Sequence, residues 1–315
     1  MRKVLIEGFK APNFLPVVVA CRPRQWPKNL LVFAAPLFSF RFDADVWFYA
    51  VGALFSFCLI SSTIYYINDL IDIVDDRDHP LKKNRPIASG LIRTKFAFII
   101  VFILLSLSFL IALCISREMA SLILLYFLIQ IAYCFKLKKE PLLDVFCIAA
   151  GFLLRAIAGG VAGGLQISPW FLLTIGLLAL FLALEKRKAE LRSSLQSGIV
   201  TREVLQRYSL PLLLRLESLV ATSSFIAYSL WAAGPSLGGA ETSWMLLTVP
   251  FVLAGIFRYQ FLSDPDESDR RKVFKPLRTS ENPEEILLGD RGIRLTVGAW
   301  LLTTILIGLI TRLVS

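Results

Sequence analysis

Apolar residues gather into nine blocks along the chain, at about 28–41, 46–68, 95–115, 118–135, 142–163, 169–185, 208–233, 243–262 and 294–314. Most approach the roughly 20 residues that a helix needs to cross a bilayer core of about 30 Å. The pattern predicts an all-α polytopic membrane protein with about nine transmembrane helices. The first block is short and interrupted by Pro36, so its helix is the least regular of the set. The polar start, Met1 to Asn13, predicts a cytoplasmic or interfacial tail. We divide the chain into an N-terminal segment, 1–27, and a single transmembrane domain, 28–315. Small residues four apart, Gly159 with Gly163 and Gly160 with Gly164, predict a close helix contact at the end of the fifth block.

Composition agrees with a lipid-embedded chain: 56% of residues are hydrophobic and 18% charged, against roughly a quarter charged in a soluble domain. The formal net charge of +10 would suit nucleic acid if it lay along one soluble face. Here it alternates between loops instead, and no nucleic-acid partner is expected. Arg2, Lys3, Lys10, Arg22, Arg24 and Lys28 belong to the tail that leads into the first block, Arg77 to Lys95 follow the second, Lys136 to Lys139 follow the fourth, and Lys186 to Arg207 follow the sixth. Arg270 to Arg291 follow the eighth. The other connections carry almost no basic residues beyond Arg41 and Arg117. Lys and Arg mark the cytoplasmic side, so the N-terminus is expected inside the plasma membrane and the C-terminus outside. The long loops, and with them any chemistry, fall on the cytoplasmic face.

Five scattered cysteines without a C-x-x-C pair imply neither zinc nor a disulfide framework. Val18-Val19-Ala20-Cys21 has the look of a lipoprotein cleavage site. The run before it is short and contains Pro16, and Arg22 and Arg24 follow at once, so a cleaved signal is not expected.

The second block runs into Asn68-Asp69-Leu70-Ile71-Asp72-Ile73-Val74-Asp75-Asp76. Asp69, Asp72 and Asp76, spaced i, i+3, i+7, share one stripe of a helix. Three like charges at a membrane boundary repel one another, and partial desolvation raises the cost. A divalent cation relieves it, and Mg²⁺ suits a site of a few carboxylates completed by water and phosphate oxygens; Mn²⁺ is the alternative. A solvated acidic helix end paired with Arg77, Lys82 and Lys83 is the plainer reading. The next stretch, His79-Pro80-Leu81-Lys82-Lys83-Asn84-Arg85-Pro86, sets cations between prolines, where they could neutralise phosphate oxygens or simply anchor the loop. Asp144 and Arg155 in the fifth block are intramembrane ionisable residues, expected to line a cavity or to pair with neighbours.

The run N-D-x-x-D-x-x-x-D followed by K-x-x-R-P-I-x-x-G resembles the first aspartate motif of the UbiA-type membrane prenyltransferase superfamily. Within it the chain is most similar to the decaprenyl-phosphate phosphoribosyltransferase branch. That likeness rests on Arg22-Pro-Arg-Gln-Trp-Pro-Lys-Asn29, Tyr133-Cys-Phe-Lys-Leu-Lys138, Gly151-Phe-Leu-Leu-Arg155, Lys186-Arg187-Lys188-Ala189-Glu190 and Pro283-Glu284-Glu285. The resemblance implies helices around a central cavity open to the cytoplasmic side, with the motif holding Mg²⁺ and a substrate pyrophosphate. It implies transfer of a 5-phosphoribosyl group from phosphoribosyl pyrophosphate to a polyprenyl phosphate. Asp69, Asp72 and Asp76 are then the metal-binding catalytic residues. Lys28, Asn29, Asn68, Lys82, Lys83, Arg85, Tyr133, Lys138, Lys186 and Arg187 are candidates for the phosphates, and Glu190, Asp144 and Arg155 stand as supporting residues behind them. One departure bears on the donor. Where prenyl transferases carry a second aspartate-rich motif, this chain reads Glu185-Lys-Arg-Lys-Ala-Glu190, rich in cations. The alternative is a prenyl diphosphate donor with an aromatic or tetrapyrrole acceptor; a transporter is more remote, since no internal repeat is evident. The sequence leaves a homo-oligomer open.

Overall fold

The computed structural model describes residues 14–78, 82–197, 203–264 and 289–314. His79, the N-terminal tail to Asn13, the basic run from Arg270 and the Pro283-Glu284-Glu285 motif lie outside the described residues. Every regular element within them is helical. In chain order these are α1 (Leu15–Ala20), a 3-10 segment (Pro23–Phe33), α2 (Ala34–Phe38), α3 (Ala44–Ile71), α4 (Ile73–Asp78), α5 (Thr94–Ile115), α6 (Arg117–Phe135), α7 (Leu143–Ala162), α8 (Pro169–Ser197), α9 (Leu210–Ala232), α10 (Val249–Ser263) and α11 (Arg291–Val314).

Eight helices among the described residues are long and apolar enough to cross a membrane, which makes the chain an integral membrane protein. The tenth in chain order gains its length from a 3-10 turn at Ser243–Thr248 that leads into α10. The first expected block is not such a helix. Pro23, Pro27 and Pro36 each lack an amide donor, and the chain there winds as 3-10 helix before a five-residue α2. Eleven 3-10 residues rise about 22 Å and α2 adds about 7 Å, so this broken segment is nearly as long as a bilayer core is thick. The division at 27/28 falls inside it.

The broken segment lies on α7 and α3, and glycine makes the approach possible. A Cβ on Gly159 would stand 1.8 Å from the Val32 carbonyl oxygen. The small-residue contact expected there is therefore made with the broken segment, while Gly160 faces the Ile167 side chain across the following turn. Elsewhere α8 packs on α7 and α9, and α3 on α5. Ser56 and Ser108 exchange hydrogen bonds across the α3–α5 seam, at 2.9 Å from the Ser108 hydroxyl to the Ser56 carbonyl. In a lipid-facing pair such serines hold helices that have no hydrophobic drive to associate.

Arg312 reaches Asp43 at one end of the bundle, while Lys138 meets Asp72 at the other. At the first of these ends the hydrogen bond from Arg41 holds the Asp43 carboxyl below its ordinary range.

Candidate functional site

The acidic motif sits where α3 gives way to α4. The helix yields at Asp72, whose φ is −88° and ψ 12°. The hydrogen-bond register nevertheless continues, with Asp72 N–H donating to the Asn68 carbonyl and Asp76 N–H to the Asp72 carbonyl. The stripe predicted for three carboxylates survives the break in part. Asp69 and Asp76, both 2% exposed, meet at one guanidinium: Arg85 Nη1 donates to Asp69 at 3.1 Å and to Asp76 at 2.6 Å. Asp72 turns aside to Lys138, whose Nζ donates to both of its oxygens at 2.7 and 3.0 Å.

Each position of K-x-x-R-P-I-x-x-G has a task in presenting Arg85. Lys82–Asn84 form a 3-10 turn that leads into it. Ile87, 1% exposed, anchors the loop in a cluster with Tyr66, Ile92 and Ala97. Gly90 takes φ +79°, which a side chain would resist. Arg77 closes the loop from α4 by donating to the Ala88 carbonyl at 3.1 Å.

Arg22 belongs to this site and was read from the sequence only as a membrane anchor. It donates to Asp69 at 2.5 Å from a left-handed backbone at φ 53°, a conformation that costs a non-glycine residue about 1–2 kcal/mol. Its guanidinium also lies 4.8 Å from the centre of the Tyr65 ring. The signal was present in the prolines on either side of Arg24-Gln25-Trp26, which fix a loop rather than leave a loose tail.

Of the cations expected in a loop after the sixth span, Lys186, Arg187, Lys188 and Arg192 lie instead within α8, which continues to Ser197, while Arg207 ends the 3-10 turn Glu203–Arg207. Arg187 is fully buried. It donates to Asp144 at 2.6 Å, to Glu190, and to the Tyr133 hydroxyl at 3.5 Å. Tyr208 donates to the other Asp144 oxygen at 2.7 Å. Two anions thus neutralise Arg187, and Asp144 pairs with it rather than with Arg155. Next to it Lys188 is held between Glu185 and Glu217, with Gln260 donating to Glu217 at 3.2 Å. Glu217, which shares its apolar block with Arg215, is an intramembrane charge already visible in the sequence.

Asn29 is not at the mouth. Its amide nitrogen donates to Cys58 and Ser61, and its oxygen accepts from Arg155 Nε at 2.7 Å. Asn68 and Lys186 are half-buried and Lys83 is exposed; Lys28 lies within the Pro23–Phe33 3-10 segment and Lys82 opens the turn before Arg85.

Among the described residues no three His, Cys, Asp or Glu side chains form a ready metal cage. Carboxylates in a poorly polarisable setting take the nearest cation, and here that cation is protein. The donor set still fits a hard ion, because Asp69 and Asp76 converge on one positive centre. Mg²⁺ needs only one or two carboxylates when water and phosphate oxygens supply the rest.

Comparison with known proteins finds relatives along most of the chain. Residues 30–280 match the UbiA prenyltransferase family. A decaprenyl-phosphate phosphoribosyltransferase of Mycolicibacterium smegmatis is 37% identical over 298 residues, 90% of each chain. One from Corynebacterium glutamicum is 33% identical, covering 90% of this chain and 84% of the relative. Among solved structures, a UbiA homologue from Archaeoglobus fulgidus bound to DMAPP and Mg²⁺ superposes with a TM-score of 0.68 at 19% identity, covering 90% of this chain and 96% of that one.

Proposed function

The chain belongs to the UbiA prenyltransferase family, and from that premise we propose that it transfers a 5-phosphoribosyl group from phosphoribosyl pyrophosphate to a polyprenyl phosphate, releasing pyrophosphate. The observation that carries this reading is the similarity to phosphoribosyltransferases along nine tenths of the chain. The cation-rich Glu185–Glu190 stretch supports it, since a second carboxylate cluster for a prenyl diphosphate is replaced there by Arg187 and Lys188 in ion pairs.

Asp69, Asp72 and Asp76 would hold Mg²⁺, which supplies positive charge to the departing pyrophosphate. Arg22, Arg85 and Lys138 pair with these aspartates, and if the carboxylates held the ion these cations would be at hand for the phosphate oxygens. The ribose carbon becomes cationic as its bond to pyrophosphate breaks, and a lipid phosphate oxygen attacks from the opposite face. That oxygen is ionised at neutral pH, so no general base is required. Positioning and charge neutralisation supply the rate. The site faces the cytoplasm of a plasma membrane, with the N-terminus on the same side.

The test is direct. Purified protein with polyprenyl phosphate, labelled phosphoribosyl pyrophosphate and Mg²⁺ yields a labelled lipid, and chelation abolishes it. No label, together with turnover of a prenyl diphosphate, would replace this reading with prenyl transfer.

A further inference from the structure

Nine charged side chains are buried among the described residues. Eight of them have a partner of opposite sign: Asp69 and Asp76 with arginines, Asp144 and Glu190 with Arg187, Glu185 and Glu217 with Lys188. Arg155 is the exception. It is 6% exposed, and its three hydrogen bonds go to neutral oxygens: Nε to Asn29 at 2.7 Å, Nη1 to the Gly151 carbonyl at 2.6 Å and Nη2 to the Tyr126 hydroxyl at 2.9 Å. A guanidinium has five N–H groups, so one on each terminal nitrogen remains. The rings of Phe57, Tyr126 and Phe152 surround it at 5.7, 5.0 and 5.6 Å. They soften the charge without cancelling it.

An uncancelled cation inside a membrane is costly, and this one is held by a dedicated frame. Gly151 leaves room for it, since a Cβ there would stand 3.2 Å from Nη1. Its place relative to the mouth is fixed by Asn29, which rests on Cys58 and Ser61 of α3. Those residues precede Asp69 by eleven and eight positions on the same helix, about 12–16 Å along its axis. On that helix Tyr65 stands four residues before Asp69 and carries Arg22 over its ring, while Phe57, further in, lies against Arg155.

We propose that Arg155 binds the phosphate monoester at the far end of the donor, the 5-phosphate of phosphoribosyl pyrophosphate, and so selects this donor over one with an apolar tail. The inference rests on the phosphoribosyl reading above. A donor with pyrophosphate at one end and a monoester at the other needs positive charge at two separated points, whereas a prenyl chain meets a bare cation there at a desolvation cost. Discrimination comes from the same residue in both directions.

The experiment uses full-length protein in detergent or nanodiscs and measures equilibrium binding of ribose 5-phosphate without metal and of pyrophosphate with Mg²⁺. Arg155→Met is expected to weaken ribose 5-phosphate about ten- to a hundredfold, the worth of hydrogen bonds to a charged group, and to leave pyrophosphate within about twofold. Arg155→Lys, which keeps the charge, is expected to recover part of the loss and serves if the methionine variant does not fold. The donor KM should rise while the lipid KM stays unchanged. Equal weakening of both probes, unchanged ribose 5-phosphate binding, or a shift in the lipid KM instead would each overturn the assignment. Wild-type protein that makes labelled lipid while Arg155→Met binds ribose 5-phosphate normally would overturn this inference alone. Wild-type protein that turns over only a prenyl diphosphate would overturn the function beneath it.

Discussion

Asp69 receives two guanidiniums from different parts of the chain, Arg22 from before the helices and Arg85 from the loop after α4. Removing its charge while keeping its shape isolates that role. Asp69→Asn is expected to lower transfer by about a hundred- to a thousandfold, the worth of a preorganised charge at a reacting centre. Membrane insertion and detergent elution should match wild type, and activity within tenfold would count against the aspartates as the pyrophosphate site. At this scale the acidic motif and its basic loop were legible because spacing alone aligns the carboxylates. The assignment of partners was not. Arg22 reads like any positive-inside residue, and nothing in its neighbours announces a left-handed backbone. Asn29 is a phosphate candidate through the Arg22–Asn29 motif, and in the structure it turns inward to Arg155.

The broken segment from Pro23 to Phe38 delivers Arg22 and Lys28 to the mouth, and its seat is the backbone contact at Gly159. Gly159→Ala should cost about 1–3 kcal/mol, as overpacking of a fitted interior does, and should raise the donor KM by displacing Arg22. Gly176→Ala, on α8 with nothing within 4 Å of the added carbon, is the control and should leave both thermal stability in detergent and KM unchanged. Hydrophobic blocks locate helices well when lipid is the neighbour, so seven of the eight spans were readable to within a few residues. They misplace a boundary when charged residues are buried in pairs. Arg187 and Lys188 look like a cytoplasmic loop by hydropathy, which cannot distinguish a cation in water from one enclosed by Asp144 and Glu190 or by Glu185 and Glu217.

Across the molecule, Lys188 joins α8 to α9, and through Gln260 the same knot reaches α10. Lys188→Met leaves two carboxylates facing each other in the interior and should destabilise the bundle by roughly 3–5 kcal/mol, read as a lower melting temperature in detergent. Orientation is tested by single cysteines in a background without the native five. Glu241→Cys should react with an impermeant maleimide in intact cells, and Lys83→Cys only after permeabilisation. The reverse result would turn the protein over in the membrane. The alternation of basic loops gave the order of spans without any knowledge of packing, because each crossing changes sides. How the spans pack depends on which faces meet, and that information is spread over pairs of residues distant in sequence, such as Asn29 and Arg155.

The proline-broken segment also sets an order in time. A ribosome adds about 5–20 residues per second, so α7 leaves it roughly 6–25 seconds after Val32 does. Until then Val32 has no Gly159 to rest on and Asn29 no Arg155 to accept from. The segment can settle on α3 first, through Asn29 on Cys58 and Ser61, and its seat on α7 forms only after the chain's middle has been made.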